Sequence, residues 1–272
     1  MTKVKICGIT NLEDATLSAK FGADALGFNF YANSPRYILP EDARTIIDEL
    51  PEDVLKVGVF VNEDLEKVIE IAKTANLDTI QLHGEETPEF ANELKTKTGL
   101  EIIKAFRVSK NFKPEDVLQY KVDAILLDAY SPKEHGGTGE TFDWEVAKKV
   151  KEIFPKIYLA GGIKPENIRR ALKNVNPYWV DACSGVERSK VDKDLKALEL
   201  LARDSDDRNT RTFEAIHDTL LKVVDHLSGL EDTVRSTSNS AATGKQAVQP
   251  RDYSPTERLG SAEPQNRSHA QS

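Results

Sequence analysis

Short apolar runs alternate with longer amphipathic segments along the first two hundred residues of the chain. The runs, VGVFV and AILLD among them, are continuously apolar, which is typical of parallel strands that are buried on both faces. Eight strands are predicted in this way: Val4–Ile9, Ala25–Phe30, Val54–Val61, Thr79–Leu82, Glu101–Phe106, Ala124–Asp128, Ile157–Ala160 and Trp179–Ala182.

The amphipathic segments predict helices after seven of these strands, and several begin with a residue suited to a helix N-terminus, such as Asn11 or Pro40. The predicted helices are Leu12–Phe21, Pro40–Glu49, Asp64–Thr74, Pro88–Thr98, Asp143–Ile153, Pro165–Leu172 and Asp192–Leu201. The segment Pro114–Tyr120 is too short to assign. Eight strand–helix units in about 200 residues indicate an α/β fold of the (βα)8 TIM-barrel type, because a doubly wound open sheet usually needs only about five or six strands.

The composition of the chain changes near Ala202. Residues 1–202 contain 22 Lys and 6 Arg, whereas residues 203–272 contain 2 Lys and 7 Arg and have no strand-like run. We therefore predict a barrel domain at 1–202, a linker and an amphipathic or coiled-coil helix at 203–235, and a disordered tail, polar and rich in Pro, Ser and Gln, at 236–272. The shift indicates a segment of separate origin, either a natural extension or an engineered fusion.

Apolar residues recur at alternating spacings of three and four in the segment 213–234. They are Phe213, Ile216, Leu220, Val223, Leu227, Leu230 and Val234. This spacing places them at the a and d positions of about three heptads and predicts a homo-oligomer that associates through 213–234. Leu at a beside β-branched residues at d favours four strands over two. The alternative is an amphipathic helix that packs on the barrel.

The composition of the whole chain narrows the classes of function. The net charge of −8 gives no broad attraction for nucleic acid or for an anionic membrane. No stretch approaches the roughly 20 apolar residues of a membrane span. The N-terminal apolar run is interrupted by Lys3 and Lys5, unlike a secretory signal. The spacing of Cys7 and Cys183 gives no recognisable disulfide framework or metal-ligand set, so a reduced, cytoplasmic setting is the simplest expectation.

Barrel enzymes carry their function at the C-terminal ends of the strands, so the polar residues at these ends are the candidates for chemistry. Cys7 ends the first strand, and an ionised thiol can act as a general base, although a buried, inert cysteine is the commoner case. Asp128 ends the sixth strand as a candidate general acid or base, or as a turn residue. Arg36 follows the second strand, either to hold a carboxylate in its planar fork or as an exposed, solvated arginine.

Further candidates follow the fourth, seventh and eighth strands. Gln81 and His83 flank the end of the fourth strand, where the histidine has either a ligand-binding or a purely structural role. The small residues Gly161-Gly162 and Ser184-Gly185 follow the last two strands. Such residues let backbone N–H groups approach a phosphate, and this is the usual phosphate site of TIM barrels. The Gly-rich segment 135–144 after the Asp128 strand, taken alone, is a βα loop.

Eight motifs in order resemble those of the phosphoribosylanthranilate isomerase family. They extend over about residues 3–200 and are KICGIT at 5–10, SPRYI at 34–38, VGVFVN at 57–62, QLHG at 81–84, LLDAYSP at 126–132, GGTGETFDW at 136–144, AGGI at 160–163 and SGVE at 184–187. Their order and the KICGIT start distinguish the chain from indole-3-glycerol phosphate synthase and the tryptophan synthase α-subunit.

The resemblance implies an Amadori rearrangement of the phosphosugar N-(5-phosphoribosyl)anthranilate in tryptophan biosynthesis, without a cofactor or a metal. By motif, Cys7 would be the general base that removes the C2′ proton, and Asp128 the general acid that protonates the furanose ring oxygen. Arg36 would hold the anthranilate carboxylate. The other substrate-binding residues expected for the family are Gln81, His83, Gly161, Gly162, Asp181, Ser184 and Gly185.

Two departures from the family pattern concern the phosphate loop. Cys183 stands where the family usually has a second Ser, and Lys190-Val191 stands where it commonly has a Pro-Gly turn. Two alternative functions are a barrel that serves as a carrier or fusion partner for the coiled-coil segment, and a related or bifunctional phosphosugar isomerase. The second alternative predicts carboxylates after both the first and the sixth strand, whereas here the first strand ends in Cys7.

Overall fold

The computed structural model describes residues 2–129, 143–189, 192–194 and 196–201 of the chain. Eight parallel strands form a closed barrel in which each strand pairs with its neighbours in the chain, and the last pairs with the first. The strands are β1 (Lys3–Cys7), β2 (Ala25–Asn29), β3 (Leu55–Phe60), β4 (Thr79–Leu82), β5 (Glu101–Val108), β6 (Ala124–Ala129), β7 (Ile157–Leu159) and β8 (Trp179–Ala182). The predicted (βα)8 fold is confirmed.

Helices occupy the connections between the strands. They are α1 (Leu12–Lys20), α2 (Pro40–Ile47), α3 (Leu65–Ala75), α4 (Pro88–Thr98), α5 (Trp144–Ile153) and α6 (Ile168–Val175), with a further helical segment at 196–201. The unassigned segment after β5 is a 3-10 helix, Pro114–Gln119. Asn11 caps α1 as predicted, because its side-chain oxygen accepts a hydrogen bond from the backbone N–H of Asp14 at 2.8 Å.

Two of the predicted helices begin later than expected. Before α6, the Asn167 side chain closes a turn by accepting a hydrogen bond from the N–H of Lys164 at 3.0 Å and donating one to the carbonyl of Gly162 at 2.7 Å. The last helix does not include Asp192–Lys193, because these residues form β10 and pair antiparallel with β9 (Glu187–Ser189). Both local structures follow the strands whose loops form the candidate phosphate site.

The side chains of the barrel strands point alternately into the barrel and outward beneath the helices, which gives two apolar cores. The interior core includes the first residue of β8, Trp179, whose ring stacks on that of Tyr158 with centroids 4.9 Å apart. Burying one such large side chain contributes roughly 1.5–3 kcal/mol. Nearer the C-terminal ends of the strands the buried side chains include the polar Gln81, Asp128 and Asp181. The polar end of the interior is where the candidate site lies.

No helix in the described ranges is long and apolar enough to cross a membrane. The predicted helix at 203–235, the predicted tail at 236–272, the Gly-rich segment up to residue 142 and Lys190-Val191 lie outside the described residues. The boundaries predicted for those segments therefore remain predictions.

Candidate active site

A cavity of about 590 Å³ lies at the C-terminal ends of the barrel strands. It is large enough for a small-molecule ligand. All ten candidate site residues line it, namely Cys7, Arg36, Gln81, His83, Asp128, Gly161, Gly162, Asp181, Ser184 and Gly185. The closed barrel thus brings together residues that are spread over almost the whole length of the domain.

The Cys7 thiol lies in a positively charged environment. A hydrogen bond with the Cys183 thiol lowers the pKa of Cys7, and although burial opposes this, the charges of Lys5 and Lys193 lower it further, so that the pKa of Cys7 falls well below its usual range. The same hydrogen bond, together with burial, raises the pKa of Cys183. Because the thiolate is the reactive form of cysteine, Cys7 is the sulfur of the pair that is prepared to accept a proton.

Lys5 and Asp181 form a buried ion pair inside the barrel, beneath Cys7. The Lys5 Nζ and Asp181 Oδ2 atoms are 2.8 Å apart, and the lysine side chain is fully buried. Burial alone would lower the pKa of Lys5, but the neighbouring Asp181 and Cys7 raise it above its ordinary value. Burial raises the pKa of Asp181 to about 7, against the attraction of Lys5. Lys5 therefore keeps a positive charge next to Cys7.

Asp128 is held at the end of β6 by two hydrogen bonds. Its Oδ1 accepts one from the N–H of Ala129 at 2.8 Å, and its Oδ2 lies 3.2 Å from His83 Nε2. The other ring nitrogen of His83 lies 2.9 Å from Gln81 Nε2, which is a donor. With the Gln81 amide in this orientation, the ring proton of His83 is on Nε2 and is donated to Asp128. Gln81 and His83 thereby orient the carboxyl group.

Arg36 crosses the mouth of the barrel and pairs with Glu187. Arg36 Nε and Nη2 donate to Glu187 Oε1 and Oε2 at 2.8 and 2.7 Å, a bidentate pair. Gly8 makes this path available, because its φ is +81° and a Cβ there would collide with the Arg36 side chain. A guanidinium has five N–H donors, so about three remain for a ligand. Glu187 thus fixes the position of the Arg36 guanidinium and leaves N–H donors available for a ligand.

Lys193 connects this pair to Cys7. Its Nζ donates to the backbone carbonyl of Cys7 at 2.7 Å and to Glu187 Oε1 at 3.0 Å. Burial would raise the pKa of Glu187, but Arg36 and Lys193 outweigh it and lower that pKa. The sequence pattern alone predicted no role for Glu187, Lys193 or Lys5. Glu187 and Lys5 belong to the SGVE and KICGIT motifs, which were a signal for them, whereas nothing in the sequence pattern marked Lys193.

The loops after β7 and β8 pack so closely that their glycines leave no room for a side chain. Gly161 has a φ of +76°, and a Cβ on it would collide with the backbone nitrogen of Ala129. A Cβ on Gly185 would collide with the carbonyl of Ile163. Both glycines line the cavity, so the expected phosphate loops lie at its wall. Among the described residues, no three His, Cys, Asp or Glu side chains are grouped to hold a metal ion.

Comparison with known proteins identifies the barrel. A family model described as N-(5'phosphoribosyl)anthranilate (PRA) isomerase matches residues 4–203. The chain is 49% identical to the N-(5'-phosphoribosyl)anthranilate isomerase of Geobacter metallireducens over 204 residues, which are 75% of this chain and 98% of that protein. It is 46% identical to the enzyme of the same name from Thermotoga maritima over 205 residues, again 75% and 98% of the two chains.

Solved structures of the same class superpose on the barrel. The crystal structure of phosphoribosyl anthranilate isomerase from Thermotoga maritima matches with a TM-score of 0.71 and 44% identity, and the match covers 76% of this chain and 99% of that one. A second crystal structure is a complex with reduced 1-(o-carboxyphenylamino)-1-deoxyribulose 5-phosphate, with a TM-score of 0.68, 43% identity and the same coverage.

Proposed function

The chain belongs to the N-(5'-phosphoribosyl)anthranilate isomerase family, and on this premise we propose that it converts N-(5-phosphoribosyl)anthranilate to 1-(2-carboxyphenylamino)-1-deoxyribulose 5-phosphate in tryptophan biosynthesis. The observation that carries the proposal is the arrangement of Cys7 and Asp128 on the wall of one cavity, with Arg36 and the two phosphate loops around them. Arg36 holds the anthranilate carboxylate, and the backbone of the loops at Gly161-Gly162 and Ser184-Gly185 holds the phosphate.

Asp128 opens the furanose ring in the first step. Acting as the general acid, it gives a proton to the ring oxygen while the C1′–O bond breaks, and the lone pair of the anthranilate nitrogen forms the C1′=N bond of an iminium ion. A donor at this position prevents the development of a full alkoxide charge on the leaving oxygen. His83 and Gln81 keep the carboxyl group in position through the hydrogen bonds at 3.2 and 2.9 Å.

Cys7 carries out the second step as the base. Its thiolate removes the proton from C2′, the electron pair of the C–H bond forms the C1′=C2′ double bond, and the iminium nitrogen receives the electrons of the C1′=N bond. The resulting enolamine gains a proton at C1′ while the hydroxyl group on C2′ loses its proton, so that the C1′=C2′ double bond is replaced by the C2′=O bond of the ketone. C2′ is oxidised and C1′ is reduced within one molecule, so the reaction is an intramolecular oxidoreduction. Cys183 first, and then the positive charges of Lys5 and Lys193, lower the pKa of Cys7 and so keep the thiolate available for it.

Isomerase turnover of three variants tests the proposal. The loss of the fluorescence of N-(5-phosphoribosyl)anthranilate is followed for the intact chain, Cys7→Ser, Asp128→Asn and the control Asp48→Asn. Asp48 is paired with Arg44 on an exposed helix end, so its change to Asn leaves the site untouched. Loss of one proton-transfer group is expected to lower kcat by about 10²–10⁴-fold, whereas the control keeps the activity of the intact chain.

Circular dichroism of each variant separates loss of chemistry from loss of fold. Full activity in Cys7→Ser or in Asp128→Asn would exclude the role proposed for that residue. An intact chain that is folded but has no turnover would instead favour the carrier alternative, and the search for function would move to residues 203–272.

A further inference from the structure

Cys7 is the last residue of β1, and Cys183 directly follows the last residue of the adjacent strand β8. β1 and β8 are parallel, and Ile6 of β1 lies opposite Ala182 of β8. The residue that follows each of these two in the sequence is a cysteine. Lys193 Nζ donates hydrogen bonds to both backbone carbonyls, at 2.7 Å to that of Cys7 and at 3.4 Å to that of Cys183. Adjacent strands are about 4.8 Å apart, and disulfides join Cα atoms about 4.4–6.8 Å apart. The backbone geometry is therefore suited to a disulfide.

The two sulfur atoms also occupy the same region of the cavity. Both cysteines are free, and both line the cavity. Each thiol is the largest influence on the pKa of the other, as expected for two neighbouring sulfur atoms. A Cβ on Gly8, the residue after Cys7, would be 3.2 Å from Cys183 Sγ. An oxidant small enough to enter the cavity can thus reach the pair. Because the pKa of Cys7 is lowered, Cys7 is the nucleophile of the pair. Cys183 stands where the family usually has serine.

We propose that Cys7 and Cys183 form a peroxide-sensitive dithiol, which closes to a disulfide and reversibly removes the catalytic base. Cys7 thiolate attacks one oxygen of hydrogen peroxide, the O–O bond breaks, and the products are the Cys7 sulfenic acid and, after protonation, water. Cys183 sulfur then attacks the Cys7 sulfur, the S–O bond breaks, and a second water leaves with the thiol proton. The two cysteines lose two electrons, and the peroxide gains them.

Two readouts test the dithiol. The full chain is treated with hydrogen peroxide, and its intact mass is compared with its isomerase turnover, before and after dithiothreitol. The matched variant Cys183→Ser places the usual family residue beside Cys7, and its activity is expressed relative to its own untreated sample. Since the chain has only two cysteines, a mass lower by two hydrogens in a monomeric species assigns the bond without further mapping.

We expect peroxide to remove two hydrogens and both alkylatable thiols from the intact chain, and to lower its turnover by about 10²-fold or more. Dithiothreitol is expected to restore the thiols and the turnover. Cys183→Ser has no second sulfur, so Cys7 is expected to pass to the sulfinic acid, which dithiothreitol does not reverse. The proposal is wrong if the inactivated intact chain keeps an alkylatable Cys183, if the bond joins two chains, or if Cys183→Ser recovers as completely as the intact chain.

The loss of turnover rests on the proposed function of Cys7, whereas the change in mass does not. A disulfide that forms with turnover unchanged would therefore support the dithiol and contradict the role of Cys7 as the base. A chain that has no turnover before oxidation but forms the disulfide would support the dithiol and contradict the proposed function.

Discussion

Lys5 lies inside the barrel with its ammonium group near two acids, the Cys7 thiol and the Asp181 carboxyl. The pKa of Lys5 is raised above its ordinary value by these neighbours in spite of burial, so the lysine supplies a constant positive charge. The two acids compete for it. The pKa of Cys7 is lowered, whereas burial raises the pKa of Asp181 to about 7. One buried cation thus favours the ionised form of the proposed base.

Replacing Lys5 by Met is expected to raise the pKa of the Cys7 thiol, because an opposite charge nearby is removed. The rate of alkylation of Cys7 by iodoacetamide, measured against pH on the free enzyme, reports this pKa directly. Turnover needs the thiolate, so it falls as the pH drops through the pKa of Cys7. In Lys5→Met that fall is expected at a higher pH than in the intact chain.

Lys3→Met is the matched control for this experiment. Lys3 lies two residues earlier on β1, with its Nζ 5.2 Å from the centre of the Trp179 ring, at the other end of the strand from Cys7. Its removal changes the net charge by the same amount without changing the surroundings of the thiol. An alkylation midpoint that is equal in Lys5→Met and Lys3→Met would contradict the role given to Lys5.

At the level of elements, the loops after β7 and β8 behave as one packed unit. The absence of a side chain at Gly185 lets the second loop lie against the carbonyl of Ile163 in the first. The Asn167 side chain also fixes the first loop, because it donates a hydrogen bond to the Gly162 carbonyl. The position of the backbone N–H groups that would hold a phosphate thus depends on the spacing between two loops.

Gly185→Ala is expected to separate the two loops and raise KM by about 10–100-fold, because small displacements of a binding group weaken its contacts strongly. Gly99→Ala is the matched control. Gly99 ends α4 with a φ of +69° in open space, so alanine there costs about 1 kcal/mol of stability and does not touch the site. Steady-state kinetics and urea unfolding of both variants check this. A Gly185→Ala enzyme with unchanged KM would show that the loop spacing is not important for binding.

The sequence was sufficient to predict elements whose cause is local, and insufficient where the partner is distant. Buried parallel strands are recognisable because both faces are apolar, and the site residues because they end such strands. The Lys5–Asp181 and Arg36–Glu187 pairs join residues 176 and 151 positions apart, so no spacing rule could find them. The predicted helix start at Asp192 was wrong for the same reason, since β10 exists only by pairing with β9.

At the level of the whole molecule, the match to the isomerase family ends where the composition changes. The family model stops at residue 203, and the relatives align with about three quarters of this chain. The segment 203–272 therefore contributes nothing to the family assignment. Its heptad pattern at 213–234 and the alternative of a helix that packs on the barrel make opposite predictions about mass and stability.

We expect the intact chain to sediment as an oligomer, with four copies favoured, and a chain that ends at residue 202 to sediment with fewer copies and equal turnover per barrel. The reason is that leucines at the a positions and β-branched residues at d bury their side chains only against other copies of the segment. The substitution Leu220→Asp in the intact chain is the matched control for the truncation, because it places a charge at an a position and leaves the length unchanged. If all three proteins have the same number of copies, and the truncated chain unfolds at a lower urea concentration, the segment packs on its own barrel instead.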